Sequence, residues 1–294
     1  MCIRDRYYEW RQLPVPGAGE YQGPNPPYGA LITYVLKDDP PPPPPAAAKE
    51  AVKKPVVKIA ISGPDGKVIR ELEGPDKKGL HRVNWDLRYP LPYTAAEEDE
   101  SWFGVPKGTF VMPGTYTVKL TTRGKELTQT VQVRVDPRSV TTPEALQTRF
   151  KASQSVSELQ RSFFESAAVV ATLSKELEAA NAAIKGKGAG VPENVTSAIK
   201  DFTKKVDDLK EKFKAGWGGP KFLIWDLSGQ LQASTSMPSE AQLRVIDQMN
   251  TRLTTDISTL NAVASKDLPA LQTTLRSAGI SSAAAKAVAP PKTQ

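Results

Sequence analysis

Side-chain periodicity changes once along this chain, at Asp136-Pro137-Arg138, and that change constrains the fold more than any other feature. Before it, apolar residues recur at every second position; after Thr142-Pro143-Glu144 they recur at every third and fourth. A period of two sorts side chains onto the two faces of a pleated strand, and a period of three to four draws one stripe along a helix. The expectation is an all-β region followed by an all-α region: an antiparallel β-sandwich over residues 29–138 and a three-helix antiparallel bundle over 139–280. At 294 residues the chain has room for two domains, each burying its own core.

The β region is expected to hold one strand before a proline loop and about five after it. Ala30 to Leu36 is a β-branched and aromatic run of strand length. Residues 38–54 carry Pro40 to Pro45, which fix φ and donate no hydrogen bond, so this stretch reads as a stiff surface loop. Val57, Ile59 and Ile61 then alternate with polar or small residues, and Pro64-Asp65-Gly66 turns the chain into Val68 to Leu72. From Gly79 to Leu87, His81, Val83, Trp85 and Leu87 share one face, with Trp85 as core anchor and Asp86 as a turn cap. After a long loop over 89–112, Tyr116, Val118 and Leu120 face inward, Arg123-Gly124 turns, and Leu127 to Val135 returns.

Thr142 as N-cap with Pro143 at the first helical position opens a helix of about forty residues, striped by Leu159, Phe163, Val170, Leu173 and Leu177. Glycines over 186–190 stop it. A second helix from Pro192-Glu193 carries Val195, Ile199, Phe202, Val206, Leu209 and Phe213, a seam of fours and threes. Residues 217–236 read as an ordered crossover docked by Phe222, Leu223, Ile224, Trp225 and Leu227. Ser236-Met237-Pro238-Ser239-Glu240 starts a third helix, with a break or kink near Pro269. Residues 281–294 are expected to be a disordered tail, and residues 1–28 an extended lead-in whose opening Met-Cys-Ile-Arg-Asp-Arg reads as translated sequencing-adapter sequence.

Composition excludes several chemistries. One histidine, His81, and one cysteine, Cys2, cannot make a zinc set, and His81 reads as a partly exposed strand residue in place of a catalytic base. No disulfide, metal or cofactor is therefore expected. The net charge of +7 is spread thinly: Lys+Arg against Asp+Glu is 7 to 6 over 1–54, 13 to 11 over 55–138 and 19 to 15 over 139–294. Without a concentrated basic stripe, nucleic acid is not an expected partner. No apolar run is long enough to span a membrane. Glu97-Glu98-Asp99-Glu100 lacks the alternating spacing of a calcium loop and reads as a solvated charge run. Tyr89, Tyr93, Trp102 and Phe103 crowd the long loop; they form a candidate ligand or partner surface, by stacking on carbohydrate, or else they fill core and anchor the loop. No catalytic residue is assigned.

Three segments carry a family resemblance: Asn25-Pro26-Pro27-Tyr28-Gly29-Ala30, Gly79-Leu80-His81-Arg82-Val83-Asn84-Trp85-Asp86-Leu87-Arg88-Tyr89-Pro90 and Pro113-Gly114-Thr115-Tyr116-Thr117-Val118. Residues 24–138 resemble the region that follows the β-propeller in bacterial exported proteins with BNR (Asp-box) or sortilin-type repeats, often labelled glycosyl hydrolases. Asp267-Leu268-Pro269-Ala270-Leu271 is similar to the C-terminal helices of the same proteins. Asp65-Gly66-Lys67-Val68-Ile69-Arg70, Asn84-Trp85-Asp86 and Pro113-Gly114-Thr115-Tyr116 also resemble the immunoglobulin-like domain of the flagellar hook-capping protein. The resemblance implies an immunoglobulin-like sandwich, a periplasmic or extracellular location, and a missing N-terminal β-propeller as partner. No Asp-box repeat occurs in this sequence, so no family active-site residue maps onto it. The expectation is a non-catalytic structural or interaction module. The alternatives are a carbohydrate-positioning part of a glycoside hydrolase or sialidase, and a scaffold of extracellular assembly with another protein or glycan as partner.

Overall fold

The computed structural model describes residues 2–3, 27–40, 57–94, 107–137, 139–187, 191–214 and 219–279. The proline loop beyond Pro40, most of the lead-in, the acidic run 97–100 and the tail from 281 lie outside these residues. The chain divides into two compact units, the second made of Pro92–Glu100, Lys151–Gln232 and everything from Met237 on, the first of the remainder.

In the first unit the alternating runs form antiparallel strands: β1 (Ala30–Leu36), β2 (Val57–Ser62), β3 (Val68–Gly74), β4 (Gly79–Trp85), β5 (Gly114–Thr122) and β6 (Lys125–Val135). Among the described residues, Cys2–Ile3 and β1 precede the proline loop and five strands follow it. Strand β2 is central to the larger sheet, pairing with β3 on one side and β5 on the other, while β6 extends the sheet beyond β5. Cys2–Ile3 run parallel against Arg134 and Val135 on the far side of β6. Strands β1 and β4 pair as a separate two-stranded sheet, from Ala30 opposite Trp85 to Leu36 opposite Gly79. The inward residues of both sheets make one cluster: Ala30, Tyr34 and Leu36 with Trp85, Val57, Ile59 and Ile61, Tyr116, Val118 and Leu120. Each fully buried aliphatic side chain there contributes about 1.5–3 kcal/mol. Leu127 stands directly opposite buried Leu120 yet is 67% exposed.

The helical region comprises α1 (Pro143–Lys187), α2 (Glu193–Lys212), α3 (Pro220–Ala233), α4 (Glu240–Ala262) and α5 (Leu268–Ser277). Thr142 caps α1, its Oγ1 accepting the Ala145 N–H at 3.2 Å. Ser239 and Gln242 close a reciprocal capping box at the start of α4. The second unit's core draws Leu159, Phe163 and Leu173 from α1, the whole expected seam of α2, Ile224 and Leu227 from α3, and Ile257 and Leu260 from α4. Buried Ser162 and Ser166 widen the covered arc of α1, and the Ser166 hydroxyl donates to the Ser162 carbonyl at 2.6 Å. Lys212 pairs with Asp256 and Lys205 with Asp267, each at 2.8 Å, so α2 runs antiparallel to the α4–α5 stretch.

One feature differs from expectation. The segment expected only as an ordered crossover contains a helix, α3, so the region holds more than three helices; Pro220 begins it and Ile224, Leu227 and Leu231 repeat at helical spacing into the core. The break or kink expected near Pro269 takes the form of a π-helical turn over Val263–Asp267, in which the Leu268 N–H reaches the Val263 carbonyl, and the chain stays helical through it. Proline lacks the N–H that would bond residue 265, and one widened turn accommodates its ring.

Candidate functional site

The most specific motif, Asn84 to Pro90, begins where β4 ends. Trp85 is fully buried, packs edge-on against Tyr116 at 5.2 Å, and its indole N–H donates to the Arg88 carbonyl at 3.3 Å. Leu87 takes a positive φ of 60°, a costly conformation for a branched side chain, and the Asp86 carboxylate accepts the Arg88 N–H at 3.3 Å. Asp86 thus caps the turn, as its position suggests.

Arg88 is only 5% exposed. Its Nη1 donates to the Gly108 carbonyl at 2.7 Å and its guanidinium lies 3.5 Å over the Phe110 ring, which meets Tyr28 edge-on at 5.8 Å. The chain from 107 to 111 is tied beside it: the Tyr89 N–H donates to the Thr109 carbonyl and the Val111 N–H to the Leu87 carbonyl, each at 2.9 Å. A Cβ at Gly108 would overlap the Tyr89 carbonyl oxygen. Tyr28-Gly29-Ala30 of the first resemblance segment joins the same structure. The Asn84 amide donates to the Tyr28 carbonyl at 2.9 Å, and Gly29, with φ 135°, sits where a Cβ would overlap the Trp85 carbonyl oxygen. All three resemblance segments therefore meet in the first unit, the third through Tyr116, whose hydroxyl donates to the Met112 carbonyl at 2.6 Å.

Burial raises the Tyr116 phenol to about 12, with a smaller contribution from Tyr89, and raises Tyr89 and Tyr34 as well. His81 is a half-buried strand residue, its Nε2 2.6 Å from the Lys77 carbonyl and its ring 5.4 Å from that of Tyr34.

Of the four expected surface aromatics, Tyr89 and Tyr93 are described, one in each unit. The Tyr89 ring, in the first unit, lies 6.1 Å from that of Phe150 at the start of α1. Tyr93, in the second unit, stacks face to face on Phe164 at 3.7 Å and 10°, so one of its faces is covered by the chain itself. Trp102 and Phe103 lie outside the described residues. Near the start of α1, Arg149 reaches the Ser234 carbonyl at 2.6 Å, and burial lowers its pKa. Sequence reasoning missed the Arg88–Phe110 stack and the Arg149 contact. Both bring together residues far apart in sequence, which periodicity cannot register.

Among the described residues, no group of three or more His, Cys, Asp and Glu lies together to hold a metal ion, and no helix is long and apolar enough to cross a membrane. Comparisons with family models, with curated proteins and with solved structures each return no match.

Proposed function

We propose that this chain is a non-catalytic structural and interaction module, an immunoglobulin-like sandwich followed by an antiparallel helical bundle, and that it belongs behind the β-propeller of an exported bacterial protein. One observation supports the non-catalytic reading above the rest: the polar groups of the most specific motif are turned inward onto the chain's own backbone. Trp85 bonds to the Arg88 carbonyl, Arg88 to Gly108 and Asn84 to Tyr28. A site that recognises substrate holds such groups toward a cleft; here they close a loop against a strand end. The propeller and the periplasmic or extracellular location rest on the three resemblance segments alone.

Two measurements test this reading. The reading frame upstream of residue 7 is expected to encode Asp-box repeats, and the purified chain is expected to leave a panel of glycosides uncleaved and a glycan array blank. An upstream frame without such repeats removes the propeller assignment. Glycoside cleavage, or glycan binding lost on Trp102→Ala, overturns the non-catalytic module in favour of a carbohydrate-positioning part of a hydrolase.

A further inference from the structure

Strand β6 is eleven residues long, and among the described residues only the two-residue strand Cys2–Ile3 lies beyond it in the larger sheet. The turn before it has φ of 48° at Arg123 and 74° at Gly124, the positive pair of a two-residue type I′ hairpin, with Thr122 opposite Lys125. In such a hairpin the flanking pair exchanges hydrogen bonds, and bonded pairs alternate from there. Lys125, Leu127, Gln129, Val131 and Val133 therefore bond to β5, while Glu126, Thr128, Thr130, Gln132 and Arg134 point their N–H and C=O groups outward. Among the described residues only Cys2–Ile3 occupy that outward edge, beside Arg134 and Val135. Natural sheets blunt a long edge with proline, a bulge or an inward charge, and β6 has no proline and an unbroken register with β5.

The strand is also self-complementary. If two copies are laid antiparallel about Thr130, Glu126 of each falls opposite Arg134 of the other and Thr128 opposite Gln132. Thr130 meets its own counterpart on the two-fold axis. On the other face, Leu127, 67% exposed, falls opposite Val133. Every outward-pointing residue then meets another outward-pointing residue, which the alternation of bonded pairs requires. Within one chain Glu126 is held toward β5 by Lys119 at 2.7 Å and Arg134 is held by the Gln132 side chain through Nε at 2.7 Å, so pairing in this register exchanges these contacts for Glu126–Arg134 pairs on either side of the axis.

We propose that β6 is a homodimerisation edge, pairing with β6 of a second copy in this register to join two four-stranded sheets into one, with Cys2–Ile3 giving up their two rungs. A single strand pair buries less than a standard interface, so the association is reversible and in the micromolar range. Like-charge pairs across a strand pair repel, and the two-fold axis applies each change twice.

Sedimentation equilibrium of the full chain tests it. Wild type is expected to show a monomer–dimer equilibrium. Glu126→Arg is expected to weaken association by about tenfold or more, and adding Arg134→Glu is expected to restore it, because the swapped charges again face each other. Thr130→Pro removes an outward N–H without a rung to β5; it is expected to abolish the dimer while far-ultraviolet dichroism stays unchanged. If Thr130→Pro perturbs the fold, the charge swap decides alone. A chain that stays monomeric throughout the micromolar range, or a dimer indifferent to Glu126→Arg, overturns the proposal.

Discussion

The strand unit and the helical unit bury comparable apolar side chains, but they distribute responsibility for their cores differently. In the first, single residues hold positions that nothing else in the unit can fill: Trp85 closes the core between the sheets, Gly29 and Gly108 permit backbone approaches that a Cβ would block, and Arg88 ties the returning loop to the strand end. In the second, five helices contribute side chains to one cluster in which each seam residue of α2 resembles the next. Non-local sheets depend on a few long-range closures, whereas an amphipathic stripe repeats its contact every turn. The strand unit should therefore be brittle to single changes and the helical unit tolerant.

The sharpest way to break this comparison is to truncate one core residue in each. Trp85→Ala is expected to cost about 3–5 kcal/mol and to abolish the cooperative unfolding of the strand unit, since both a large cavity and the indole bond to Arg88 are involved. Val206→Ala, equally buried in α2, removes two methyl groups and is expected to cost about 2 kcal/mol with helical dichroism retained. Chemical denaturation followed at 222 nm and by tryptophan fluorescence distinguishes the two. Equal losses in both variants would refute the contrast.

A smaller effect separates the units by pH. Tyr116 ionises near 12 when folded and near 10 when unfolded, so above pH 10 the unfolded chain gives up a proton that the folded chain keeps. Its contribution is complete below about pH 10 and is lost as pH rises toward 12, on the order of 2 kcal/mol over that window. Stability of the strand unit, measured by urea titration at pH 9, 10 and 11, is expected to fall along this range. Tyr116→Phe is expected to lie lower at pH 9, having lost the bond to Met112, and to fall less steeply. Identical slopes would show that Tyr116 does not govern the alkaline limb.

These contrasts also explain what was legible beforehand. The change of period at Pro137, the alternation of Val57, Ile59 and Ile61, and the fours and threes of α2 are local patterns that match a local backbone geometry, and the strands and helices follow them. Thr142 marks a helix start because capping uses side chains within three residues. Alternation places Leu127 on the returning strand, but alternation identifies a face and carries no information about what covers that face. Arg88 lies three residues past the end of β4, and only the return of 107–111 beside it makes it a buried tie. Proximity in sequence groups Tyr89 with Tyr93, and their packing partners, Phe150 and Phe164, are long-range contacts that such proximity does not register.

Helix α3 was obscured for a different reason, and it yields the finest test of the comparison. Its run Phe222 to Trp225 is apolar at four consecutive positions, which masks a three-to-four period, and Gly229 interrupts the interior with the residue least suited to a helix. A glycine inside a helix is retained for close packing or is merely tolerated. Nothing lies within 4 Å of where a Cβ at Gly229 would stand, its φ is not positive, and the residue is exposed, so no packing requires it. Gly229→Ala restricts the unfolded chain and adds a helix former without a clash, so it is expected to stabilise the helical unit by about 0.5–1 kcal/mol, read as a higher urea midpoint at constant slope. The same substitution at Gly29, where φ is 135° and the Trp85 carbonyl fills the space, is expected to destabilise, so opposite signs at two glycines mark the tolerant unit and the brittle one.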